Sequence, residues 1–286
     1  MRILLVGTAT LDLVFGLDHH PGEDEEMRAQ FLRICRGGNA ANTAVVLAGL
    51  GHAPDFLGVL ADAQETVVIE QDFSAHGVGF CHCPLLEGRP PTSSIYISGS
   101  SRSIVHYRDL SELDATHFTS LDLKAYGWVH FEGRNVEQLG KMLAYARSGF
   151  PGLPISLELE KSRDGILDFL TYADLLICSR GFARHHGFDA PQPFLHWMQG
   201  RAPNANVVAA WGEAGAYAIG GSAEVCHAPA MLLTQARDTL GAGDTFNAGI
   251  IDALSGGLPL QSALAQACEL AGKKCGVEGF DNLNPG

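Results

Sequence analysis

The feature that most restricts the fold of this chain is the alternation of short apolar runs with amphipathic stretches from residue 127 onward. The pattern predicts strands at 127–131, 154–159, 174–178 and 206–211 and helices at 135–148, 163–171, 190–200, 244–255 and 259–275. Strands that alternate with helices form a mostly parallel sheet covered on both faces. Right-handed crossovers bring the carboxyl ends of such strands to one edge. The sequence therefore predicts the α/β class, with a ligand site along that edge.

The first part of the chain adds polar segments of a different kind. Its apolar runs predict buried strands at 2–7 and 55–60 and helices at 40–50 and 64–76. Residues 27–36 form a polar strand-like run, and 92–108 alternate around a Gly-Ser-Ser-Arg turn as a hairpin does. Because polar strands fit poorly in a buried parallel sheet, they predict a small antiparallel lid over the site, built from roughly 13–36 and 92–108.

Charge and cysteine content restrict the class of protein. The formal net charge of −13 argues against a nucleic-acid partner, because such proteins are usually basic. The start of the chain is too short for a secretory signal, and no long apolar run predicts a membrane span. Seven cysteines at irregular spacing, without a signal, indicate reduced thiols and a cytoplasmic location. No linker or repeat interrupts the chain, so residues 1–286 are predicted to form a single domain.

Residues 238–247, Asp-Thr-Leu-Gly-Ala-Gly-Asp-Thr-Phe-Asn, combine a run of small residues with a carboxylate. Gly241, Ala242 and Gly243 are small enough for a phosphate to approach their backbone, and a helix is predicted to follow them. Asp244 would repel that phosphate, so its presence indicates a separate role. Taking the proton of a hydroxyl that attacks a phosphoryl group is such a role. The stretch therefore predicts an anion hole and a catalytic base, and the chain has no P-loop motif that would compete with it.

A second cluster, Gly37-Gly38-Asn39-Ala40-Ala41-Asn42, suits a sugar. Asn39 and Asn42 lie one helical turn apart on one face, and their amides both donate and accept hydrogen bonds, as sugar hydroxyls require. Asp12 follows soon after the first strand, near that strand's carboxyl end. Taken singly, these residues are also explained by a glycine turn with an Asn cap and by a solvated carboxylate. Together with the 238–247 stretch they predict a site for the phosphoryl acceptor.

Three further features can be explained either by ligand binding or by a simpler structural role. Glu158 and Glu160 alternate with leucines, so both carboxylates point one way and either hold Mg²⁺, through waters, or cover a half-exposed strand. The glycines of 212–215 either admit an adenine or ribose or form a tight turn. Arg102, at the hairpin, either reaches a phosphate from the lid or lies free on the surface.

These motifs, in this order, resemble those of the ribokinase-like (PfkB) family of carbohydrate kinases. Residues 37–42 match the first family signature, and 238–246 match the second, which is highly specific. The segments 130–135, 157–161, 210–216, 271–276 and 279–281 are similar to those of the ketohexokinase subgroup, so the resemblance runs nearly end to end. Many members carry an Asn-x-x-Glu motif where this chain reads Cys178-Ser179-Arg180-Gly181-Phe182-Ala183, which leaves the metal ligands open.

The resemblance implies a ribokinase-like three-layer α/β/α sandwich with a β lid, or clasp, that also forms a homodimer. It implies an ATP- and Mg²⁺-dependent ketose kinase that phosphorylates D-fructose at its 1-hydroxyl. The residues implied to hold the sugar are Asp12, Gly38, Asn39, Asn42 and Asp244, the last also acting as the base. The residues implied to contact the nucleotide are Arg102, Gly212, Glu213, Ala214, Gly215, Gly241, Ala242, Gly243 and Cys268, which lies beside the adenine.

Two alternatives to a fructose kinase stay open. The acceptor can be another sugar or a nucleoside, such as ribose, tagatose, a keto-deoxy acid or adenosine, because pocket shape decides among them. The chain can also be a sugar- or nucleotide-binding sensor that has lost catalysis. Asp244 and the intact glycines speak against a sensor, since a sensor has no need for a base.

Overall fold

The computed structural model describes residues 1–99, 101–221, 224–231, 233, 237–280 and 283 of the chain. Its strands are β1 (Arg2–Val6), β2 (Thr10–Gly16), β3 (Phe31–Gly37), β4 (Ala53–Leu57), β5 (Leu60–Ala61), β6 (Leu85–Leu86), β7 (Thr92–Ser98), β8 (Ser101–Tyr107), β9 (Trp128–Glu132), β10 (Ile155–Leu159), β11 (Leu175–Ser179), β12 (Asn206–Ala210), β13 (Ala216–Ile219) and β14 (Val225–Ala228). Its α-helices are α1 (Asn39–Gly49), α2 (Val67–His76), α3 (Ala115–Thr119), α4 (Val136–Gly149), α5 (Arg180–His185), α6 (Pro191–Gln199), α7 (Ala242–Ser255) and α8 (Leu260–Cys275). Short 3₁₀ helices lie at Gln64–Thr66, Leu123–Ala125, Ile166–Tyr172 and Gly212–Ala214.

The main sheet has eight strands in the order β14-β13-β12-β11-β10-β9-β1-β4. Every pairing from β12 to β4 is parallel, and β13 and β14 add an antiparallel edge. The central strands are almost entirely buried and mostly apolar because both faces of the sheet are covered. The carboxyl ends of β1 and of β9 to β12 therefore lie together at one edge of the sheet.

Helices cover both faces of the main sheet, so the three-layer α/β/α arrangement is confirmed. On one face Phe131 and Leu157 pack with Phe182 of α5 and Phe194 of α6, beside α3 and α4. On the other face Ile3 and its neighbours pack against α1, α2, α7 and α8. Burying each such side chain contributes about 1.5–3 kcal/mol, which makes the two cores the main source of stability. None of the helices in the described ranges is long and apolar enough to cross a bilayer.

A second sheet, with strand order β3-β2-β7-β8, forms the lid. The β2–β3 and β7–β8 pairs are antiparallel, as predicted, but β2 and β7 pair in parallel because the chain leaves the lid after β3 and returns only at β7. One face of the lid carries Asp12, Ser93 and Ile95 toward the carboxyl edge of the main sheet. The lid strand β2 starts at Thr10, so Asp12, expected near the carboxyl end of β1, lies within the lid and faces the cavity at that edge.

Two local elements between β10 and α6 differ from the sequence prediction. Residues 163–171, predicted to be an α-helix, instead contain the 3₁₀ helix Ile166–Tyr172, which starts after Gly165 in the left-handed conformation at φ 79°. Helix α5 is not predicted by the sequence because it is too short for its periodicity to stand out. Ser179 caps this helix, since its hydroxyl accepts a hydrogen bond from the Phe182 N–H at 2.9 Å.

Candidate active site

A cavity of about 340 Å³ lies between the lid and the carboxyl edge of the main sheet. The lid closes one side, the ends of β9 to β12 form the floor, and the first turns of α1 and α7 form the opposite wall. The structure brings into this one cavity the predicted site residues Asp12, Gly38, Asn39, Asn42, Arg102, Glu158, Glu160, Gly241, Ala242, Gly243 and Asp244. The residues come from separate segments of the chain, so the convergence of those segments is a property of the fold.

The anion hole predicted at 241–243 lies at the amino end of α7. This helix begins at Ala242 rather than at 244, so Ala242 and Gly243 form its first turn instead of a preceding loop. Gly241 adopts φ 79°, and a Cβ there would come within 2.4 Å of the Phe280 ring. The backbone N–H groups of Gly243 and Asp244 have no hydrogen-bond partner within the described residues. Free N–H groups and the positive end of the helix dipole together favour a bound phosphate.

Asp244, the predicted base, is buried in the same turn with 8% of its surface exposed. Its carboxylate Oδ2 accepts a hydrogen bond from the Asn42 amide at 2.6 Å. Burial raises the pKa of Asp244 to about 7, with Glu160 and Glu132 adding to the rise and the Asn42 hydrogen bond opposing it. A carboxylate with a pKa near the working pH is suited to accept a proton and release it again.

Asp12 lies across the cavity on β2, with 6% of its surface exposed. The Thr10 hydroxyl donates to its Oδ1 at 2.7 Å. Burial raises the pKa of Asp12, while hydrogen bonds from Thr10 and Ser93 work in the opposite direction. A buried carboxylate facing the amides of Asn39 and Asn42 can bind several hydroxyl groups of one small polyol.

Glu158 and Glu160 converge on a single amide, as their alternation predicts. Asn39 Nδ2 donates to Glu158 Oε1 at 3.1 Å and to Glu160 Oε2 at 3.3 Å. Burial raises the pKa of Glu158, and the neighbouring carboxylates of Asp244, Glu132 and Glu160 raise it further. Within the described residues Glu158 Oε2 is buried without a hydrogen-bond partner, so a cation would relieve both the crowding of charge and the unpaired oxygen.

The carboxylates of Glu158 and Glu160 are of the kind that Mg²⁺ takes from proteins. No group of three or more His, Cys, Asp or Glu side chains in the described part of the chain is arranged to hold a metal alone. Mg²⁺ usually takes one or two protein carboxylates, with waters and substrate phosphates completing its octahedron. The pair Glu158 and Glu160 supplies that number at the edge of the cavity.

The residues predicted to contact the nucleotide divide into two groups. Arg102 reaches from the lid to the anion-hole loop, where its Nη1 donates to the backbone oxygen and the hydroxyl of Thr239, both at 3.4 Å. The structure does not place the turn 212–215 or Cys268 among the residues that line the cavity, although Ala210 at the end of β12 is one of them. Cys268 is buried on α8, where its Sγ donates to the Ala228 carbonyl at 3.7 Å. Nucleotide contacts by 212–215 and Cys268 stay predictions.

Glu132 and Arg134 line the cavity without having been assigned a role from sequence. Glu132 Oε2 accepts from the Thr8 N–H at 2.9 Å, and its Oε1 accepts from Arg134 Nη1 at 3.2 Å. Burial raises the pKa of Glu132, and Arg134 acts most strongly against that rise. The sequence did contain a clue to Glu132, because this carboxylate directly follows a predicted buried strand. The register of β9 and β10 then places it beside Glu158.

Comparison with known proteins places this site in a family. A model described as pfkB family carbohydrate kinase matches residues 1–285. The chain belongs to the PfkB family of carbohydrate kinases. The resemblance of its motifs to this family is thereby confirmed, and the chain is a sugar kinase. Mouse ketohexokinase is 36% identical over 293 residues, a match that covers 99% of this chain and 98% of the mouse protein.

Solved structures support the fold of this PfkB kinase. Ribokinase from Giardia lamblia matches it with a TM-score of 0.84 at 16% identity, over 99% of this chain and 96% of that one. Ribokinase from Arabidopsis thaliana, solved as a complex with ribose and ATP, matches with a TM-score of 0.80 at 18% identity, over 99% and 95% of the two chains. At these identities the likeness establishes the ribokinase-like fold alone.

Proposed function

We propose that this PfkB kinase transfers the γ-phosphoryl group of ATP to the 1-hydroxyl of D-fructose. The observation that carries the proposal is the position of Asp244, a buried carboxylate whose own helix turn presents free N–H groups to the same cavity. The ketose is supported by the 36% identity to mouse ketohexokinase over nearly the whole chain. The nucleotide is supported by the ATP bound to the structurally similar Arabidopsis ribokinase.

The cavity provides each group that the transfer needs. Asp12, Asn39 and Asn42 hold the sugar hydroxyls, and Asp244 takes the proton from the hydroxyl that attacks. The new O–P bond forms as the bond from the phosphoryl group to the ADP oxygen breaks, and the N–H groups at the start of α7 stabilise the charge that develops. Phosphoryl transfer depends mainly on positioning and electrostatic stabilisation, so this small set suffices.

Glu158 and Glu160 would hold the magnesium ion of MgATP, at least partly through waters. When bound, Mg²⁺ supplies positive charge against the nucleotide phosphates. Arg102 adds a second positive charge from the lid, where its contact with Thr239 keeps it close to the anion-hole loop. The turn 212–215 and Cys268 are proposed to hold the base and ribose of the nucleotide.

A coupled ADP-release assay with MgATP tests the proposal. D-fructose is compared with ribose, tagatose, glucose, a keto-deoxy acid and adenosine as acceptors, and the product is identified as the 1-phosphate by NMR. Turnover that requires fructose supports the proposal. Turnover with another acceptor alone keeps the mechanism and overturns the sugar. Binding of ATP or sugar without any turnover supports a sensor instead.

The outer face of the lid supports the proposed homodimer. Leu32, Ile34, Val105 and Tyr107 alternate with the residues that face the cavity, so their side chains lie on the opposite side of the lid. All four are more than half exposed in the isolated chain. The edge strands β3 and β8 also expose unpaired backbone groups, which natural sheets usually cover. A second copy of the lid would bury these side chains in a symmetric contact.

Replacing Leu32 and Val105 with Asp together is expected to convert the dimer to a monomer, because two carboxylates on each lid would repel and resist burial. Light scattering coupled to size-exclusion chromatography measures the mass. Leu258→Asp serves as a control, since Leu258 is 40% exposed in the connection between α7 and α8, outside the lid strands. A wild-type protein that is already monomeric, or a double variant that stays dimeric, contradicts a lid-mediated dimer.

A further inference from the structure

A chain of hydrogen bonds leads from the surface of α2 to the proposed base. Asp72 Oδ1, on α2, accepts from Arg36 Nε at 2.5 Å. Arg36 Nη1, at the end of β3, donates in turn to Asn42 Oδ1. Asn42 Nδ2 then donates to Asp244 Oδ2 at 2.6 Å. The chain joins four elements, β3, α1, α2 and α7, and only its last two members line the cavity.

The direction of the Asn42 amide follows from these partners. The oxygen and nitrogen of an amide are nearly identical in shape, so their neighbours decide which way the group is turned. Arg36 has only donors, and it therefore requires the amide oxygen on its side. Asp244 then receives the amide NH₂. Within the described residues, Asn42 is the only side chain that donates to the Asp244 carboxylate, and Oδ1 of that carboxylate stays free.

Arg36 is held firmly enough to impose this direction. Only 4% of its surface is exposed. Its guanidinium carbon lies 5.9 Å from the centroid of the Phe73 ring and 5.4 Å from that of the Phe280 ring. Asp72 supplies the opposite charge that a buried guanidinium requires. A buried guanidinium that lies against two aromatic rings and is ion-paired through its Nε has little freedom to turn away.

We propose that Arg36 is a positioning residue for phosphoryl transfer: it turns the Asn42 amide so that Asp244 is held by one oxygen and presents the other to the attacking hydroxyl. This inference rests on the proposed function, in which Asp244 is the base. Arg36 is not among the described residues that line the cavity, so it is placed to act through Asn42. Without it the Asn42 oxygen loses the donor that fixes it, so the amide can shift and the Asp244 carboxylate is no longer held in one position.

The test is a double-mutant cycle on the intact chain with Arg36→Met, Asn42→Ala and the double variant, measured with MgATP and the best acceptor. Arg36→Met is expected to lower kcat by about 10- to 100-fold while KM for ATP changes by less than about threefold, because a displaced base slows chemistry rather than nucleotide binding. Arg36→Lys keeps a donor for the Asn42 oxygen and is expected to recover most of kcat. The double variant should be no slower than Asn42→Ala alone.

Arg147→Met is the matched control for a purely structural effect. Arg147 also pairs with a carboxylate and donates to a backbone carbonyl, but at the far end of α4 and away from the cavity. This variant should lose thermal stability without losing kcat. The inference is overturned if the effects of Arg36→Met and Asn42→Ala on kcat multiply in the double variant. It is also overturned if Arg36→Lys is as slow as Arg36→Met. In either case, turnover by the wild-type protein and its loss in Asp244→Asn would leave the proposed function intact. A wild-type protein inactive with every acceptor overturns both.

Discussion

Asp244→Asn is expected to lower kcat with fructose and MgATP by about 10²- to 10⁴-fold, because an amide cannot accept the proton of the attacking hydroxyl. The fold should be retained, since Asn has the same shape and its amide oxygen can still accept the hydrogen bond from Asn42. Burying a neutral amide also removes one negative charge from a site that contains Glu132, Glu158 and Glu160. The measurement is steady-state kinetics together with the thermal unfolding midpoint.

Asp252→Asn is the matched control for this loss. Asp252 lies on the same helix, α7, but pairs with His52 away from the cavity. This variant should keep kcat within about twofold of the wild-type value, as substitutions remote from the chemistry usually do. Near-normal activity in Asp244→Asn, with Asp252→Asn also normal, would mean that another group or solvent takes the proton.

The pH dependence of kcat/KM follows from the same residue. Asp244 acts as a base only when it is deprotonated, and burial raises its pKa to about 7. As the pH falls below about 7, a growing fraction of the enzyme carries the proton, so kcat/KM should fall about tenfold per pH unit. kcat/KM reports the ionisation of the free enzyme, the state described here. A profile that stays flat down to pH 5 contradicts the assignment of Asp244 as the base.

Gly38→Ala is expected to destabilise the protein by about 2–5 kcal/mol and to abolish most activity. Gly38 precedes α1 with φ 98° and ψ 134°, a conformation that residues with a Cβ rarely adopt. A Cβ there would lie 2.2 Å from the backbone oxygen of Thr8, which cannot move aside as a side chain can. Relieving this overlap must shift the start of α1, and with it Asn39 and Asn42. Urea unfolding and steady-state kinetics measure the two effects.

Gly51→Ala is the control that separates the cost of backbone strain from the cost of the Cβ overlap with Thr8. Gly51 has a similar φ of 87°, but a Cβ there would meet no atom within 4 Å. The left-handed conformation alone is expected to cost about 1–2 kcal/mol, and activity should be kept because Gly51 lies at the far end of α1. Equal losses of stability in both variants would show that the contact with Thr8 is not what makes Gly38 necessary.

The features that could be predicted from sequence are those encoded within a short stretch of chain. The strand and helix periods after residue 127 suffice for a parallel sheet, since each element's pattern reflects its own burial. The anion hole and Asp244 occupy consecutive positions, so the small residues and the carboxylate meet in any fold that starts a helix there. Asn39 and Asn42 share a helix face for the same reason. Even so, α7 begins two residues earlier than the sequence predicts, because glycine is common both in loops and in the first turn of a helix.

The contacts between distant segments were decided only by the tertiary structure. Asn42 and Asp244 are separated by 202 positions, yet their side chains are hydrogen-bonded at 2.6 Å because α1 and α7 pack together on one face of the sheet. Glu132 became a cavity residue only when the register of β9 and β10 set it beside Glu158. The parallel β2–β7 pairing, which carries Asp12 over the site, depends on the path of the chain between two lid hairpins. Local pattern thus determined the type of element and the chemistry of each motif. The topology of the sheet, which depends on burying both of its faces at once, determined which motifs meet.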